Sequence, residues 1–196
     1  MRRGKLFWLL VLGVPAILIL WAVKAYNNCV SQQENVESAW AQVENQYQRR
    51  ADLVPNLVNT VKGYAQHEQQ TLLDVVEARS HATQITIDPS KVTPEQLAKY
   101  QAAQGELSQA LGRLLAISES YPELKANENF RDLQAQLEGT ENRIAVARQQ
   151  FNDAAKTYNT MIRRFPISLI ANQYGFEKKP YFEAEQDAKA NPKVEF

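Results

Sequence analysis

An uncharged apolar stretch near the N-terminus constrains this chain more than any other feature. It runs from Leu6 to Val23 (LFWLLVLGVPAILILWAV) and contains no acidic or basic residue. As a helix, its roughly 18 residues would span about 27 Å, close to the thickness of a bilayer hydrocarbon core. Trp8 and Trp21 lie near its two ends, where indole rings favour the membrane interface, and membrane helices tolerate a proline such as Pro15. The stretch therefore predicts a membrane-spanning helix that contacts the bilayer through residues 6–23.

The charges that flank this stretch predict its orientation. Three basic residues precede it, whereas Lys24 alone follows closely. The positive-inside rule then places the N-terminus in the cytoplasm and everything after Tyr26 outside it. A cleaved signal peptide is the alternative, but its apolar core usually has about 7–15 residues, fewer than this stretch. We therefore expect residues 1–25 to form an uncleaved, single-pass signal-anchor.

The rest of the chain favours helix. Ala, Gln, Glu and Leu are abundant and only 7 residues are glycine. Apolar residues recur at steps of three and four, which is typical of amphipathic helices. Such helices, joined by short links, bury their apolar stripes by packing antiparallel. We predict an all-α fold in which the transmembrane helix continues into an elongated antiparallel bundle over residues 26–166, with a coiled-coil seam between chains as the alternative.

Local signals predict where the helices begin and end. Pro55 predicts either a kink or the start of a new helix, after which the apolar pattern continues toward His81. Residues 82–93 are typical of a connection, and Thr93 with Pro94 and Gln96 predicts a capped helix start. The last long helix is predicted to begin after Asn127 or Asn129, to carry an apolar stripe from Phe130 to Phe165, and to extend for ~54 Å.

One polar group interrupts the apolar face of the first bundle helix. Arg49 and Arg50, with Asp52 nearby, precede Pro55 and Asn56. They form either a solvated helix face or a packing group, in which the planar arginine forks meet carboxylates of a neighbouring helix. Asn56 could bond the backbone groups that the proline frees. These five residues are candidates for packing or for an interface.

The C-terminal segment, residues 167–196, differs from the helices. Its aromatic residues Phe176, Tyr181 and Phe182 lack helical spacing. Because aromatic rings avoid water, we expect them to pack on the bundle or on a neighbour. From Asp187 onward the chain is polar and is predicted to be disordered.

The sequence offers no convincing catalytic motif. His67-Glu68 lacks the second histidine, four residues on, that a zinc-protease helix needs, because Thr71 occupies that position. The 22 Lys and Arg residues balance the 22 Asp and Glu residues, which gives no argument for a nucleic-acid partner. Cys29 is either an interchain disulfide partner or a small helix residue. We therefore predict no enzyme, and no catalytic, cofactor-binding or metal-binding residues.

Three stretches of the sequence resemble one known family. They are AWAQVENQYQRRADLVPNLVNTVKGYAQHE, YPELKANENFRDLQAQLEGTENRIAVARQQFNDAAKTYNTMIRRFP and GFEKKPYF. Together they are similar to the LemA family of bacterial membrane proteins and cover nearly all of the chain after the apolar stretch. The resemblance implies an N-terminal anchor with an antiparallel helical domain on the far side of the membrane. It implies no reaction, because the family has no agreed activity.

These observations lead to one functional hypothesis and two alternatives. We expect a single-pass protein of the bacterial inner membrane whose periplasmic or extracytoplasmic helical domain scaffolds or binds other envelope proteins. Self-assembly into a homo-oligomer belongs to this hypothesis, because membrane tethering raises effective concentration. The first alternative is a membrane-remodelling assembly, for which the aromatic C-terminal segment would supply a second membrane contact. A hydrolase is the minor alternative.

Overall fold

The structure of this chain is a computed structural model that describes the backbone of residues 2–183 and the side chains of residues 12–183. Its elements, in chain order, are α1 (Arg2–Tyr64), α2 (Gln69–Gln84), α3 (Pro94–Ile117), a 3₁₀ turn (Ser118–Ser120), α4 (Pro122–Ala126), α5 (Glu128–Arg163) and α6 (Ile167–Gln173). The described residues contain no strand. The predicted all-α fold with a long apolar N-terminal helix is confirmed.

Helix α1 runs without a break from the apolar stretch into the bundle. Its first part is long and apolar enough to cross a membrane, and the side chains there are largely exposed. Buried positions begin at Ala25. Pro55 lies within the helix, so the possibility that it starts a new helix is wrong. The proline costs about 3 kcal/mol, but burial of Val54 and Leu57 on either side stabilises the helix by about 1.5–3 kcal/mol each.

Helix α1 ends at Tyr64, and the prediction that it continues toward His81 is wrong. Residues 65–68 form a tight turn, after which α2 folds back along α1. Arg79 Nε of α2 donates a 2.8 Å hydrogen bond to the carbonyl oxygen of Ala51 across this hairpin. Gly63 weakens the helix at its end. The apolar spacing continues through the turn because both helices bury their apolar stripes in the same core. Periodicity alone therefore could not predict the position of the turn.

The predicted helix starts are confirmed by side-chain caps. Thr93 Oγ1 accepts a 3.2 Å hydrogen bond from Gln96 N, and Gln96 Oε1 accepts a 3.0 Å bond from Thr93 N. Asn127, rather than Asn129, caps α5, because its Oδ1 accepts a 2.9 Å hydrogen bond from Phe130 N. Each cap satisfies backbone donors that the first helical turn leaves without a partner.

The four long helices alternate in direction around a shared core. Trp40 of α1 lies against Phe151 of α5 with ring centroids 5.6 Å apart, whereas Arg50 farther along α1 meets Glu141, earlier in α5. Helices α1 and α5 are therefore antiparallel, and α2 and α3 fill the other side of the bundle. The buried residues form two clusters. The anchor-proximal core includes Cys29, Trp40, Tyr100, Phe151 and Tyr158, and the distal core includes Val54, Leu57, Leu107, Leu111 and Phe130.

Cys29 is a fully buried member of the anchor-proximal core. None of its surface is exposed, and burial raises the pKa of its thiol. A thiol in this position is hard to reach by another chain, and raising its pKa lowers the thiolate fraction that disulfide exchange requires. The geometry therefore favours Cys29 as a small packing residue.

Candidate functional site

A buried arginine lies between the two cores and joins the long helices. Arg50 has only 1% of its surface exposed. Its Nη1 donates hydrogen bonds to Ser108 Oγ at 2.5 Å and to Glu141 Oε1 at 2.9 Å. Its Nη2 donates to the Gln104 backbone oxygen at 3.0 Å and to Gln104 Oε1 at 2.6 Å. One guanidinium on α1 therefore binds two positions on α3 and one on α5.

Further contacts extend this polar layer to α2. Gln104 Nε2 donates a 3.1 Å hydrogen bond to the carbonyl oxygen of Ala82, in α2. At about the same height, Arg79 of α2 bonds the backbone of α1. The guanidinium carbon of Arg50 also lies 5.1 Å from the centroid of the Tyr47 ring, within the range of a cation–π contact. All four long helices meet at this layer, which we call the arginine layer.

The arginine layer has a cost and a consequence. Moving a guanidinium out of water costs several kcal/mol unless its donors find acceptors. Here both terminal nitrogens are bonded, whereas Nε has no hydrogen-bond partner among the described residues. Glu141 is 40% exposed, so water screens its attraction to Arg50. Sliding any one helix by a turn would separate the guanidinium from its acceptors, which makes the layer a determinant of helix register.

The other polar candidates next to Arg50 lie on the surface. Arg49, Asp52, Pro55 and Asn56 are all exposed. Asp52 Oδ1 accepts a 2.8 Å hydrogen bond from Gln48, one turn earlier in α1. The two alternatives therefore each apply to part of the group: Arg50 meets the Glu141 carboxylate of a neighbouring helix, whereas the other four residues lie on the solvated face. A single member points into the bundle, and its neighbours in sequence point away because successive helical residues are about 100° apart.

A seven-residue repeat identifies Arg50 as a core position. Val36, Val43, Arg50 and Leu57 are spaced by seven, and all four are buried. Gln104 holds the equivalent place in α3, between Leu97 and Leu111. A repeat of seven keeps the same face of a helix toward its partner over many turns. This spacing is visible in the sequence, but a search for apolar residues alone finds a gap in the repeat at Arg50.

The C-terminal segment docks on the bundle through its backbone. Asn159 Oδ1 accepts a 2.8 Å hydrogen bond from Lys179 N, and Asn159 Nδ2 donates a 2.8 Å bond to Lys179 O. Asn152, one seven-residue repeat earlier on α5, binds Phe182 N and O in the same way, at 2.9 and 3.0 Å. Each carboxamide thus pairs with both backbone groups of one residue, as a neighbouring strand would.

Two side chains of the docked segment enter the bundle. Phe182 is 5% exposed, and its ring stacks on Trp40 with an interplanar angle of 5° and a centroid distance of 5.8 Å. Lys179 is also buried, and its Nζ donates hydrogen bonds to the carbonyl oxygens of Pro89 and Ser90. Burial lowers the pKa of Lys179. The segment therefore links α5 and α1 to the connection between α2 and α3.

The remaining aromatic candidates have weaker contacts. Phe176 is half-buried, and its ring lies 5.6 Å from that of Tyr26. Tyr181 is 39% exposed, although its hydroxyl oxygen accepts a 2.9 Å hydrogen bond from Asn159 Nδ2. Helix α6, which precedes this segment, was not predicted. Residues 187–196, for which disorder was predicted, lie outside the described residues.

The predicted membrane residues all lie on α1. Pro15, Trp21 and Val23 are exposed, as expected of side chains that have no protein around them. Leu6 and Trp8 belong to the same helix, but their side chains lie outside the described residues.

The last residue of the apolar stripe predicted for α5 is not part of the core. Phe165 was predicted to be buried there and is instead 81% exposed.

The histidines and acidic residues do not assemble into a cluster in the described part of the chain. His67 is exposed in the turn between α1 and α2. His81 Nδ1 lies 3.2 Å from Glu106 Oε2 on the surface. Between residues 12 and 183 no group of three or more His, Cys, Asp or Glu side chains is placed to hold a metal ion.

Comparison with known proteins finds one family and several relatives. The model of the LemA family matches residues 39–196. Magnetosome protein MamQ 2 of Paramagnetospirillum magneticum (strain ATCC 700264 / AMB-1) is 28% identical over 204 residues, which cover 92% of this chain and 74% of the relative. Magnetosome protein MamQ of Magnetospirillum gryphiswaldense is 28% identical over 93% of this chain and 74% of its own length. Protein LemA of Metamycoplasma hominis is 23% identical over 92% of this chain and 78% of its own length.

Replacing Arg50 should destabilise the bundle. In Arg50→Met the acceptors on Gln104 and Ser108 lose their donors inside the core, so the free energy of unfolding should fall by about 2–4 kcal/mol. Denaturant unfolding of the full chain in a mild detergent, followed by helical circular dichroism, measures this. The matched control is Arg49→Met, which removes the same charge from the surface and should change the value by less than about 0.5 kcal/mol. Equal stabilities of the two variants would contradict the role of the arginine layer.

Replacing Asn159 should release the docked segment. Asn159→Ala removes both hydrogen bonds to Lys179, which should weaken docking by about 1–3 kcal/mol and speed trypsin cleavage after Lys178. The full chain in detergent is digested briefly, and the rate of cleavage at this bond is followed by mass spectrometry. Asn142→Ala, at an exposed position on the same helix, is the control. Cleavage at the same rate in both variants would show that the asparagine pairing does not hold the segment.

Proposed function

The chain belongs to the LemA family, and on that premise we propose that it is a single-pass, membrane-anchored scaffold of the bacterial envelope that assembles with copies of itself and binds other envelope proteins. Relatives of the chain include magnetosome proteins. The anchor lies in the inner membrane, with the N-terminus in the cytoplasm and the bundle outside it. The basic residues before the apolar stretch support this orientation.

The continuity of α1 is the observation that carries the proposal. The same helix forms the apolar stretch and one wall of the bundle, with no loop between them. From Tyr26 to Tyr64 it extends for roughly 58 Å. A bundle built on such a helix cannot turn freely on a flexible linker, so it projects from the membrane as a rod. Its long sides are then available to neighbours.

The buried polar side chains of the described residues support a structural role. Arg50 and Gln104 join the helices, whereas Asn159 and Lys179 hold the docked segment. These groups are engaged within the fold. We accordingly propose a protein that acts by binding and not by catalysis.

The lateral surface offers apolar residues for contact. Leu73 and Val76 of α2 are 61% and 50% exposed, and Val146 of α5 is 54% exposed. Single exposed apolar residues are ordinary on soluble proteins. On rods tethered to one membrane, however, even weak contacts are strengthened by effective concentration, since every copy is confined to the same layer and orientation.

We expect the full chain to form oligomers in a membrane. In vesicles, an amine-reactive cross-linker should produce dimers and larger species. In mild detergent, light scattering should give a mass larger than that of one chain together with its detergent micelle. The control dilutes the same protein with excess lipid: specific assemblies persist, whereas products of random collision disappear. A strictly monomeric mass, together with cross-links that vanish on dilution, would contradict self-assembly.

Remodelling of the membrane is a second candidate function. It requires a contact with lipid besides the transmembrane helix. Phe182 does not supply it, because its ring is buried against Trp40. Three exposed apolar residues at the end of the bundle next to the anchor have the required position. They are Phe165, Leu169 and Tyr174.

A further inference from the structure

The end of the bundle nearest the apolar stretch carries three exposed apolar side chains. Phe165, Leu169 and Tyr174 have 81%, 60% and 63% of their surface exposed. They precede, lie within and follow helix α6. Ala171 of the same helix is 1% exposed and packs in the anchor-proximal core. Leu169 lies two residues away, on the opposite side of the helix, and so points away from the bundle. We call these three side chains the interfacial patch.

The contacts of the interfacial patch show its position along α1. The Tyr174 ring lies 4.9 Å from the Tyr26 ring in an edge-to-face arrangement. At the end of α5, Arg164 lines the same groove as Asn28 of α1. The interfacial patch therefore lies level with residues 26–28 of α1, immediately after the apolar stretch.

This height corresponds to the headgroup layer of a bilayer. Tyr26 follows Val23, the last residue of the uncharged stretch, by three residues, or about 4.5 Å along the helix. The polar layer on each face of a bilayer is about 5–8 Å thick. Tyrosine and tryptophan favour this layer, because their rings are apolar and their polar groups can reach water. Tyr26, Tyr174 and Trp21 thus lie where a membrane interface would hold them.

The charges at this end of the molecule fit an anionic surface. Arg163 and Arg164, which directly precede Phe165 in the sequence, are exposed, as are Lys24 on α1 and the acidic Glu177, three residues after Tyr174. A short amphipathic segment that joins apolar side chains to basic ones binds membranes in the plane of the headgroups. Basic residues near an anionic bilayer each add about 1 kcal/mol of attraction.

We propose that the interfacial patch is a second membrane contact, which inserts Phe165, Leu169 and Tyr174 among the headgroups of an anionic bilayer beside the transmembrane helix. This inference rests on the membrane anchoring in the proposed function. The occupant is the bilayer because the patch is continuous with the anchor and lies at headgroup height. Two contacts on one side of the bundle fix its tilt, whereas a single helix would leave the tilt free.

Lipid-dependent quenching of a fluorescent label tests the contact in the full chain. Single cysteines replace Leu169, Leu20 or Leu73 in a Cys29→Ser background, and each is labelled with an environment-sensitive fluorophore. Leu73 is the matched control, since its exposure of 61% is close to the 60% of Leu169 while it lies on α2 near the far end of the bundle. Leu20, which is 71% exposed within the apolar stretch, reports on the anchor itself. The protein is placed in vesicles of phosphatidylethanolamine and phosphatidylglycerol that carry a nitroxide close to the headgroup.

The outcomes separate this inference from the proposed function. We expect the label at position 169 to shift to the blue and to lose fluorescence to the nitroxide lipid, as the label at position 20 does, while the label at 73 is not quenched. Quenching at position 20 without quenching at 169 would overturn the second contact and leave the anchor intact. A blue shift at 169 without quenching would show that a second copy of the chain covers the patch, and would also overturn it. Absence of quenching at position 20 would overturn the anchor and with it the proposed function.

Further variants test the contribution of charge. Arg163→Gln combined with Arg164→Gln removes two exposed basic side chains beside the patch. It should reduce quenching at position 169 in vesicles that contain phosphatidylglycerol and leave quenching at position 20 unchanged. Unchanged quenching at 169 would contradict the proposed preference for anionic lipid.

Discussion

A guanidinium enclosed by a helical bundle is stable only where most of its donors find acceptors, and this condition governs the arrangement of the present structure. Arg50 takes its acceptors from α3 and α5, and Gln104 extends the same layer to α2. Apolar contacts above and below are tolerant of small displacements, since one aliphatic side chain replaces another at little cost. The directional bonds of the arginine layer are not. The layer therefore selects one register among several that the apolar stripes alone would allow.

The register of α1 in turn positions both ends of the molecule. On one side of the arginine layer, α1 contributes Trp40, against which Phe182 stacks. Farther along, it contributes Tyr26, which contacts the segment that carries α6. On the other side, α1 closes the distal core and ends in the turn to α2. One helix thus connects the proposed membrane span, the docked segment and the far end of the bundle, so a tilt of the anchor would be transmitted to the whole rod.

Local signals in the sequence were sufficient for the helices and their caps, and distant contacts decided the rest. The cap at Thr93 depends on residues within one turn, so its motif predicted it correctly. The turn at residues 65–68 depends on α2 folding back over α1, which the unbroken apolar spacing concealed. The repeat of seven marks Arg50 as a core position, but the acceptors that its guanidinium needs there lie more than fifty residues away and could not be identified from the sequence. The docking of Lys179 and Phe182 depends on asparagines whose spacing of seven has no meaning until α5 faces the segment.

The distance between the membrane span and the far end of α1 tests the central claim of a continuous anchored rod most directly. Spin labels at Leu20→Cys and Gly63→Cys, in a Cys29→Ser background, are measured by pulsed electron paramagnetic resonance in lipid nanodiscs. Among the described residues, no heavy atom outside the neighbouring residues and the local helix backbone lies within 4 Å of a side-chain carbon added at Gly63, so the helix should accept this label. A continuous helix predicts a single narrow distribution centred at about 65 Å. A broad distribution, or a mean well below this distance, would show a flexible joint between anchor and bundle and would contradict the account.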